Sequence, residues 1–396
     1  MKKSAVSNEQ QNNRQEKTLK VLCIILSVIF CLVIAAVPIY FAFSKDKEMS
    51  ESENRVLAKR PDITLSSLVD GSFMKSFESW LSDQFPFRDK IISLKTSADR
   101  IVGKKEENEV YFGSDGFLFE KQSEYDEEKV KSITNAINEF CRKNEDARKA
   151  VAISPNSSSV LSEYLPKYVT ESNQKKELSK IETLLTESTA SWINCAEAFG
   201  KTQDKTKLFY HTDHHWTTLA AFDVFNALME TWEFDVSKTQ FDFYTVTSDF
   251  QGTLASSSGS NVSTDEIQIC TPNVKNSAYI VSYEESGKKT ATFFEKEKLE
   301  TKNKYEVFLG GNYDKVVVTT NTDTNDTLLI FKDSYANCMM PMFTPFFSKI
   351  VVIDPRYYSD SLQNIMDEND FTHILFLYNL NTFLEDTSLE GLLCEN

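Results

Sequence analysis

Near its N-terminus the chain carries a long apolar segment. Residues 21–44 form a run of 24 positions without a charged side chain, and a helix needs about 20 such positions to cross a bilayer. A cleaved signal peptide has a shorter apolar region, of about 7–15 residues, before a small-residue cleavage site, which Ala42-Phe43-Ser44 matches weakly. As a buried core helix, the segment would have no polar face. The pattern predicts an uncleaved transmembrane helix at 21–44, with a cleaved signal peptide as the alternative.

Basic residues precede this segment. Lys17 and Lys20 lie next to it, and Lys2, Lys3 and Arg14 come earlier in the chain. Short flanks rich in lysine and arginine stay on the cytoplasmic side of a membrane. We therefore expect a membrane-embedded, single-pass protein of the cell membrane. Residues 1–20 would be its cytoplasmic tail, and residues 45–396 would lie outside.

The next part of the chain is polar and then helical. Residues 45–60 are polar and charged, which is typical of a tether. From 66 to 102 the apolar residues recur at helical spacing, and Pro86 interrupts them. Two helices joined at residues 84–88 are therefore expected, and 45–105 would form a tether and helical stalk. Residues 110–119 predict a short hairpin with Asp115-Gly116 at its turn.

Further along, apolar strands alternate with helices. The predicted strands are 149–153, 192–193, 328–331, 350–353 and 374–377, and the predicted helices are about 123–144, 174–187, 217–231, 335–341 and 359–368. This alternation indicates an α/β domain over 106–396, with a mostly parallel sheet and helices on both faces. Between about 240 and 325 the helical periodicity disappears and Ser, Thr and Asn dominate, which predicts an irregular or β insertion.

Composition restricts the class of partner. The chain has 59 acidic and 43 basic residues, a net charge of −16, which argues against nucleic acid because phosphate backbones are bound by clustered lysine and arginine. Besides Cys23 and Cys31 in the apolar segment, five cysteines are scattered without a CxxC pair or regular spacing. They fit neither a disulfide scaffold nor a zinc ribbon. One isolated disulfide is compatible with them, but the sequence does not pair its cysteines.

Three of the four histidines lie within five residues, in His211-Thr-Asp213-His214-His215-Trp216. This stretch precedes a predicted helix whose N-cap would be Thr217. One interpretation is a metal site of His211, Asp213 and His215, because alternate residues of an extended segment share a face, but no second Asp/His cluster would complete a binuclear centre. Another is a catalytic pair in which Asp213 orients His215 as general base. In a structural alternative the histidines are hydrogen-bonded loop residues and Trp216 anchors the core.

Ser334 is the candidate nucleophile. It follows the apolar strand 328–331 and precedes a predicted helix, in the sequence LLIFKDSYAN at 328–337. Such a strand–turn–helix exposes a serine hydroxyl at the carboxyl end of a sheet, next to backbone N–H groups that can hold an oxyanion. The alternative is an ordinary N-cap, since Asp-Ser often begins a helix.

Several stretches resemble the DHHW protein family. Besides Asp213-His214-His215-Trp216, they are DQFPFRD at 83–89, GSDGFLF at 113–119, KDSYAN at 332–337 and VIDPRYY at 352–358. The resemblance covers nearly all the exterior part outside 240–325. That family is in turn similar to the SGNH-hydrolase-like alginate O-acetylation proteins, in which Asp-x-His-Trp lies upstream of the serine.

The resemblance implies a fold and a set of roles. The fold would be a circularly permuted SGNH-hydrolase-like domain, because ordinary SGNH hydrolases place the serine first and Asp-x-x-His last. Ser334 would be the nucleophile, His215 the base and Asp213 its orienting acid, with His214 at the variable middle position. Lys332 stands where many hydrolases have glycine, and this departure argues against efficient hydrolysis.

Further candidates follow other strands of the predicted sheet. Arg356 and Tyr378-Asn379 lie in loops expected near the site. Asn379 is a candidate oxyanion donor, and Arg356 or Tyr378 would hold a polar acyl acceptor. Alternatively, Arg356 only pairs with Asp354 and Tyr378 only packs. Tyr335, next to the serine, completes the substrate and oxyanion candidates.

The leading functional hypothesis is an extracytoplasmic acetyltransferase or acyl esterase acting on a cell-surface carbohydrate such as an exopolysaccharide. The resemblance also implies a membrane-bound O-acyltransferase partner, because acetyl-CoA is unavailable outside the cell. No cofactor and no metal ion are expected for this chemistry. The alternatives are a non-catalytic surface or polysaccharide-assembly protein that keeps the fold, and a metal-dependent hydrolase that uses the histidine cluster.

Overall fold

The first part of the protein is built on one long helix. The structure, a computed structural model, describes residues 2–50, 55–169, 173–185, 189–261, 263–275, 277–284 and 286–394. Contacts divide them into one unit ending at Lys90 and a second beginning at Ile91. The first unit contains α1 (Lys2–Phe43), β1 (Met49–Ser50), β2 (Arg55–Val56), α2 (Leu65–Val69) and α3 (Ser72–Asp83), and α4 (Arg88–Ile101) crosses the boundary. Within α1, Glu16–Phe43 is long and apolar enough to cross a membrane, judged by length and composition. The break between α3 and α4 lies at the predicted position around Pro86.

The segment after α1, expected to be a tether, folds back on the end of that helix. Arg60 donates from Nη2 to the carbonyl oxygen of Phe41 at 2.6 Å, and so satisfies one of the carbonyls that a helix leaves unpaired at its C-terminus. Trp80 of α3 donates from Nε1 to Asp46 Oδ1 at 3.0 Å. Residues 51–54 of the predicted tether lie outside the described residues. The described remainder is an ordered part of the first unit.

The second unit holds the remaining elements. Its strands are β3 (Glu106–Glu107), β4 (Val110–Phe112), β5 (Leu118–Glu120), β6 (Arg148–Ser154), β7 (Ser191–Ile193), β8 (Phe241–Phe250), β9 (Asp265–Pro272), β10 (Tyr279–Tyr283), β11 (Lys288–Thr290), β12 (Lys315–Thr320), β13 (Thr327–Lys332), β14 (Lys349–Ile353) and β15 (His373–Asn379). Its further helices are α5 (Glu127–Lys143), α6 (Ser157–Val160), α7 (Gln174–Leu184), α8 (Cys195–Ala198), α9 (Thr218–Thr231), α10 (Thr253–Ser258), α11 (Leu362–Glu368), α12 (Leu380–Glu385) and α13 (Ser388–Cys394). The helix predicted at 335–341 is a 3₁₀ helix, Ser334–Phe343. Residues 186 and 187, at the predicted end of α7, lie outside the described residues.

A mostly parallel sheet organises this unit. Within the described residues its eight strands have the order β11-β10-β12-β14-β13-β15-β6-β7. The five strands from β14 to β7 are mutually parallel, and β10, β11 and β12 are antiparallel. The parallel strands have the doubly wound order 2-1-3-4-5 if β13 is counted first. The chain, however, enters at the fourth position, β6, which is a circular permutation of that order.

Both faces of the sheet are covered, as predicted. Strands β13 and β15 alternate between two apolar clusters, with Leu375 and Leu377 on one side and Ile374 and Phe376 on the other. Helix α9 packs on the first side, whereas α5, α11 and α13 pack on the second. Because strands buried on both sides need apolar residues at every position, they appear in the sequence as continuous apolar runs.

Residues 240–325 consist largely of β-strands, but they are not separate from the sheet. Strands β8 and β9 form an antiparallel pair of their own, whereas β10, β11 and β12 extend the central sheet beyond β14. This extension was not predicted from the sequence, because β10 and β12 are partly exposed at alternate positions and lack the continuous apolar runs of the parallel strands. Residues 262, 276 and 285 of this stretch lie outside the described residues.

Candidate active site

The histidine-rich stretch forms a tight loop between Phe209 and Trp216, which pair as an isolated antiparallel bridge. Asp265, at the start of β9, holds the outer part of the loop. Its Oδ1 accepts from the backbone N–H of His211 at 2.7 Å, and its Oδ2 accepts from the N–H and hydroxyl of Thr212 at 2.8 and 2.5 Å. Thr217 then caps α9 by accepting from the Ala220 N–H, which confirms the predicted N-cap. The loop that carries Asp213 and His215 is therefore held by the Phe209–Trp216 bridge, by Asp265 and by the start of α9.

Asp213, His215 and Ser334 form a continuous hydrogen-bonded chain. Asp213 Oδ1 lies 2.5 Å from His215 Nδ1, and His215 Nε2 lies 2.7 Å from Ser334 Oγ. A carboxylate only accepts, so Nδ1 carries the imidazole proton and Nε2 is free to accept the serine proton. Asp213 and His215 are buried, at 1% and 5% exposure. The 2.7 Å separation is within the reach that a general base requires.

Ser334 lies where the topology of the sheet reverses. It follows β13, whose neighbours are β14 on one side and β15 on the other, and open α/β sheets bind ligands at such a point. Asp333 caps the following 3₁₀ helix and accepts from the Tyr335 N–H at 2.9 Å. Among the described residues no hydrogen bond uses the backbone N–H of Ser334 itself. That N–H is therefore the available backbone donor for an oxyanion at this turn.

The second oxygen of Asp213 is held by residues from the 240–325 stretch. Thr253 donates to Asp213 Oδ2 from its backbone N–H at 2.8 Å and from its hydroxyl at 3.1 Å. The neighbouring Gly252 lies so close that a Cβ there would be 2.3 Å from the Cβ of Asp213. His214 Nδ1 lies 2.6 Å from Thr253 Oγ1. Because the threonine hydroxyl donates to Asp213, the His214 Nδ1–H donates to the hydroxyl oxygen.

Burial and neighbouring charges set the protonation of the pair. Burial lowers the pKa of His215 to about 4, helped by the nearby His214 and Arg356 and opposed by Asp213. Burial alone would raise the pKa of Asp213, but the two imidazoles and the Thr253 N–H hold it well below its usual range. At neutral pH the site therefore contains a neutral imidazole beside a carboxylate, which is the state of a resting general base.

Tyr305, which the sequence did not indicate, completes the wall of the site. Its ring stacks on the imidazole of His215, with centroids 3.8 Å apart and planes 14° from parallel. Its hydroxyl donates to the backbone oxygen of Ser334 at 3.2 Å. One side chain therefore contacts both the base and the nucleophile. Tyr305, Thr253, Gly252 and Asp265 lie in or next to a polar stretch without periodicity, and no sequence pattern separated them from their neighbours.

The other predicted residues are divided between the site and its supports. Tyr335 is buried, donates from its hydroxyl to the His214 backbone oxygen at 2.5 Å and accepts the Trp216 Nε1–H on its own backbone oxygen at 2.8 Å. It therefore joins the serine turn to the histidine loop. Arg356 pairs with Asp354, as the structural alternative proposed, and its positive charge makes a small contribution to the lowered pKa of His215.

Tyr378 and Asn379 do not line the site. Tyr378 points to the opposite face of the sheet from Leu377 and packs against Phe383, because successive side chains of a strand alternate. Asn379 donates from its side-chain nitrogen to Asp333 Oδ2 at 2.6 Å and to Thr382 Oγ1, and its Oδ1 caps α12. Both N–H bonds of the amide are therefore used, and none remains for an oxyanion.

The positions and hydrogen bonds of the histidines argue against the metal interpretation. His211, one of its three proposed ligands, is turned away, since its Nδ1 lies 3.0 Å from Asp265 and its ring stacks on Phe117. Asp213, His214 and His215 have ligand atoms within 4.8 Å of one another. Both ring nitrogens of His215, however, already have hydrogen-bond partners in Asp213 and Ser334. The donor set matches an acid–base relay better than a coordination sphere.

The cysteines add no chemistry here. Among the described residues all seven are free, and Cys141, Cys195, Cys270 and Cys338 are buried. Burial raises the pKa of the Cys338 thiol to about 12. It is therefore neither a thiolate nucleophile nor a partner in a cross-link.

Comparison with known proteins places this arrangement in context. The family model of the SGNH hydrolase-like domain of the acetyltransferase AlgX matches residues 110–311, about half of the chain. The match contains Asp213 and His215 and ends before Ser334. No match was found among the curated proteins.

Solved structures share the fold at low sequence identity. A DHHW family protein from Eubacterium siraeum is 19% identical, with a TM-score of 0.59 over 74% of this chain and 96% of that chain. PatB1 from Bacillus cereus, solved with a sulfonyl adduct, is 16% identical, with a TM-score of 0.58 over 69% of this chain and 96% of that chain. These likenesses establish an SGNH hydrolase-like α/β fold for the second unit.

Proposed function

The chain belongs to the family of the SGNH hydrolase-like domain of the acetyltransferase AlgX, and from this membership we propose that it is a membrane-anchored, extracytoplasmic O-acetyltransferase or acyl esterase acting on a cell-surface carbohydrate. The observation that carries the proposal is the chain of hydrogen bonds from Asp213 through His215 to Ser334, at 2.5 and 2.7 Å. An imidazole held by a carboxylate and bonded to a serine hydroxyl is the arrangement that activates serine for acyl transfer.

The proposed reaction has two half-steps. Ser334 Oγ bonds to the carbonyl carbon of an acyl donor while its proton moves to His215 Nε2, and the Ser334 N–H stabilises the oxyanion. The bond to the donor then breaks, and the departing oxygen takes the proton from His215. In the second half-step a sugar hydroxyl, or water, gives its proton to His215 and attacks the acyl-serine. Release of Ser334 with that proton restores the starting state, and neither half-step needs a cofactor.

Lys332, the departure from the usual glycine, does not obstruct this reaction. Its ammonium group is buried and lies 3.1 Å from Asp354 Oδ2, so its charge is directed to the neighbouring loop. The observation that favoured a non-catalytic role therefore has a structural explanation.

The location and partners of the enzyme belong to the same proposal. The apolar helix Glu16–Phe43 would anchor the chain in the cell membrane with residues 1–20 in the cytoplasm. An acyl donor outside the cell would be supplied by a membrane-bound O-acyltransferase, and the acceptor would be a surface glycan or exopolysaccharide.

The direct test uses the full-length protein in detergent micelles with an acetyl ester dye, with and without sugar oligomers. Ser334→Ala and His215→Ala should each abolish nearly all turnover, and the double variant should be little worse, because members of a triad act as a unit. Asp213→Asn should lose about 10⁴-fold, since the imidazole would adopt the wrong tautomer. Ser154→Ala, at the carboxyl end of β6 in the same sheet, is the matched control and should retain full turnover.

Covalent labelling gives an independent readout. A sulfonyl fluoride should add one sulfonyl group to Ser334, detected by mass spectrometry of the peptide that contains it. The sulfonyl adduct of PatB1 supports this choice of reagent. Full turnover in the Ser334→Ala protein, or sensitivity of turnover to chelators instead, would reject the serine mechanism.

A further inference from the structure

An exposed apolar surface lies on α2 and next to it, in the first unit. Five apolar side chains between residues 63 and 74 are 50–82% exposed, namely Ile63, Leu65, Leu68, Val69 and Met74. Leu65, Leu68 and Val69 share one face of α2, because residues three and four apart are neighbours on a helix. Among the described residues none of the five belongs to an apolar core cluster. A concentration of exposed apolar side chains such as this one marks a contact with another protein or with a membrane.

The charges around this surface favour an apolar partner. Residues 63–74 contain a single charged side chain, Asp70, although 26% of the chain is charged. Between residues 59 and 78 there are three basic and three acidic side chains, so the surroundings have no net charge. Helices that bind anionic lipid headgroups have a polar face rich in lysine and arginine instead. The partner of this surface is therefore bound through apolar side chains and not through charge.

Helix α3 connects this surface to the end of α1. Four aromatic rings follow one another, with centroids 4.9 Å apart for Phe41 and Trp80, 5.5 Å for Trp80 and Phe77, and 5.8 Å for Phe77 and Phe73. Phe41 lies in the last turn of α1 and is buried against Trp80. Phe73 directly precedes Met74 of the exposed surface. The aromatic face of α3 is therefore continuous from the last turn of the apolar helix to the exposed apolar residues.

The contacts at the end of α1 are typical of a membrane interface. Arg60 donates to the carbonyl oxygen of Phe41, and its guanidinium carbon lies 4.9 Å from the centroid of the Trp80 ring. Tryptophan and arginine are suited to this region, because each combines an apolar body with a polar end.

The length of the apolar segment places its last turn in this region. As a helix of 24 residues, residues 21–44 would be about 36 Å long, whereas the hydrocarbon core of a bilayer is about 30 Å thick. The last turn of α1 would therefore reach the headgroups, and α3 packs on that turn. Lipid is then the apolar medium that adjoins the exposed surface.

We propose that α2 and α3 lie in the interface of the bilayer that α1 spans, with Ile63, Leu65, Leu68, Val69 and Met74 inserted among the headgroups and the upper acyl chains. The inference rests on the proposed function, because it requires α1 to be the membrane anchor. It adds a second, uncharged contact with the lipid to that anchor. Interfacial helices bury their apolar face by about 5–10 Å in this way.

The test locates single nitroxide labels in the full-length protein, reconstituted in nanodiscs of zwitterionic lipid. Cys23→Ala, Cys31→Ala and Cys394→Ser remove the other accessible thiols. The remaining four cysteines stay, because they are buried and burial raises the pKa of their thiols to about 12; they are Cys141, Cys195, Cys270 and Cys338. Power-saturation spectroscopy then compares how often each label collides with oxygen, which concentrates in lipid, and with a water-soluble nickel complex.

Two labelled positions should give opposite results. A label on Val69→Cys should collide mainly with oxygen. A label on Lys75→Cys is the matched control and should collide mainly with nickel, because Lys75 lies on the side of α3 opposite Phe73 and Phe77. Adding anionic lipid or salt should change neither result, since the contact is uncharged.

A pair of double variants tests whether the apolar side chains hold the surface in the lipid. Burying one leucine or valine side chain shifts an equilibrium by about 10- to 100-fold. Leu65→Asp with Val69→Asp should therefore transfer a label on Met74→Cys from oxygen to nickel contact. Ser79→Asp with Ser82→Asp adds the same two charges to exposed positions of α3 away from its aromatic face and should leave that label in contact with oxygen.

The outcomes separate this inference from the proposed anchor. Mainly nickel contact at Val69→Cys, or equal results at Val69→Cys and Lys75→Cys, in protein that is incorporated in nanodiscs would overturn the interfacial position and leave the anchor intact. Spectral broadening between two labels on Val69→Cys would show that a second copy of the chain covers the surface, and would also overturn it. Failure of the full-length protein to incorporate in nanodiscs would contradict both the anchor and this inference.

Discussion

Replacing Gly252 by alanine tests the support of the catalytic acid without changing any group in the triad. The backbone angles of Gly252, φ −85° and ψ −162°, are available to any residue. The glycine is therefore required for space and not for conformation. An alanine Cβ at this position would lie 2.3 Å from the Asp213 Cβ and 2.2 Å from its Oδ2, where ordinary contacts are 3.4–4 Å.

The size of the effect follows from these distances. To restore an ordinary contact, Asp213 must move by about 1 Å, which would take its oxygen out of hydrogen-bonding range of His215 Nδ1 or of the Thr253 N–H. A misplacement of about 1 Å costs roughly 10² in rate, and complete loss of the acid's function costs about 10⁴. Gly252→Ala should therefore lower kcat by about 10²–10⁴-fold. Overpacking of this kind also destabilises a protein by about 1–3 kcal/mol.

The assay compares two glycine variants. Ester hydrolysis by Gly252→Ala should show a reduced kcat with little change in KM, because the atoms that a Cβ would meet belong to Asp213, which acts on the proton transfer and not on substrate binding. Gly200→Ala is the matched control, since a Cβ at that exposed glycine meets nothing within 4 Å. Chemical denaturation separates lost stability from lost rate. A Gly252→Ala protein that is folded and retains kcat within about 3-fold of the parent would refute the proposed role of Asp213.

Three other predictions concern the base, its stacking partner and the topology. Because burial lowers the pKa of His215 to about 4, kcat/KM should be flat from about pH 5.5 to 7.5 and fall only in more acidic buffer; a half-maximum near pH 7 would contradict this. The same shift means that the unfolded chain binds more protons between about pH 4 and 6.5, so stability measured by urea unfolding should rise with pH across that window. His215→Gln should flatten this rise. Tyr305→Phe should lower the free energy of unfolding, measured in urea, by about 1 kcal/mol, because its hydrogen bond is lost. Tyr305→Leu should lower it by about 0.5–1.5 kcal/mol more and lower kcat further, because it also removes the ring stacked on His215. Equal effects of the two variants would contradict a role for the stacking. Protease added to intact cells should digest residues 45–396 and spare the tail, whereas a protected C-terminal part would place the domain in the cytoplasm.

Much of the architecture could be derived from the sequence because it depends on local patterns. The apolar runs of β6, β13, β14 and β15 were predicted within about two residues, since a strand buried on both faces has no polar positions. The Asp115-Gly116 turn was also found, and both residues adopt positive φ angles of 53° and 85°. The residue types at short spacing in the sequence likewise indicated Asp213, His215 and Ser334 as candidates.

The tertiary structure decided everything that depends on register and on distant segments. Asn379 and Tyr378 were candidates from their position after a predicted strand. The register of β15, however, turns Asn379 towards the cap of α12 and Tyr378 to the face of the sheet opposite Leu377. Tyr305 and Thr253 contact the triad only because β8–β9 and the following loops fold over it. Such contacts leave no periodic trace in the sequence, since each involves one residue whose partner is far along the chain. The sequence by itself determined the strands, the helices and the candidate groups, because these depend on the types and the spacing of residues that are neighbours in the chain. Only the folded chain determined which groups meet, because side-chain direction and spacing at the site are fixed by packing between segments that are remote in sequence.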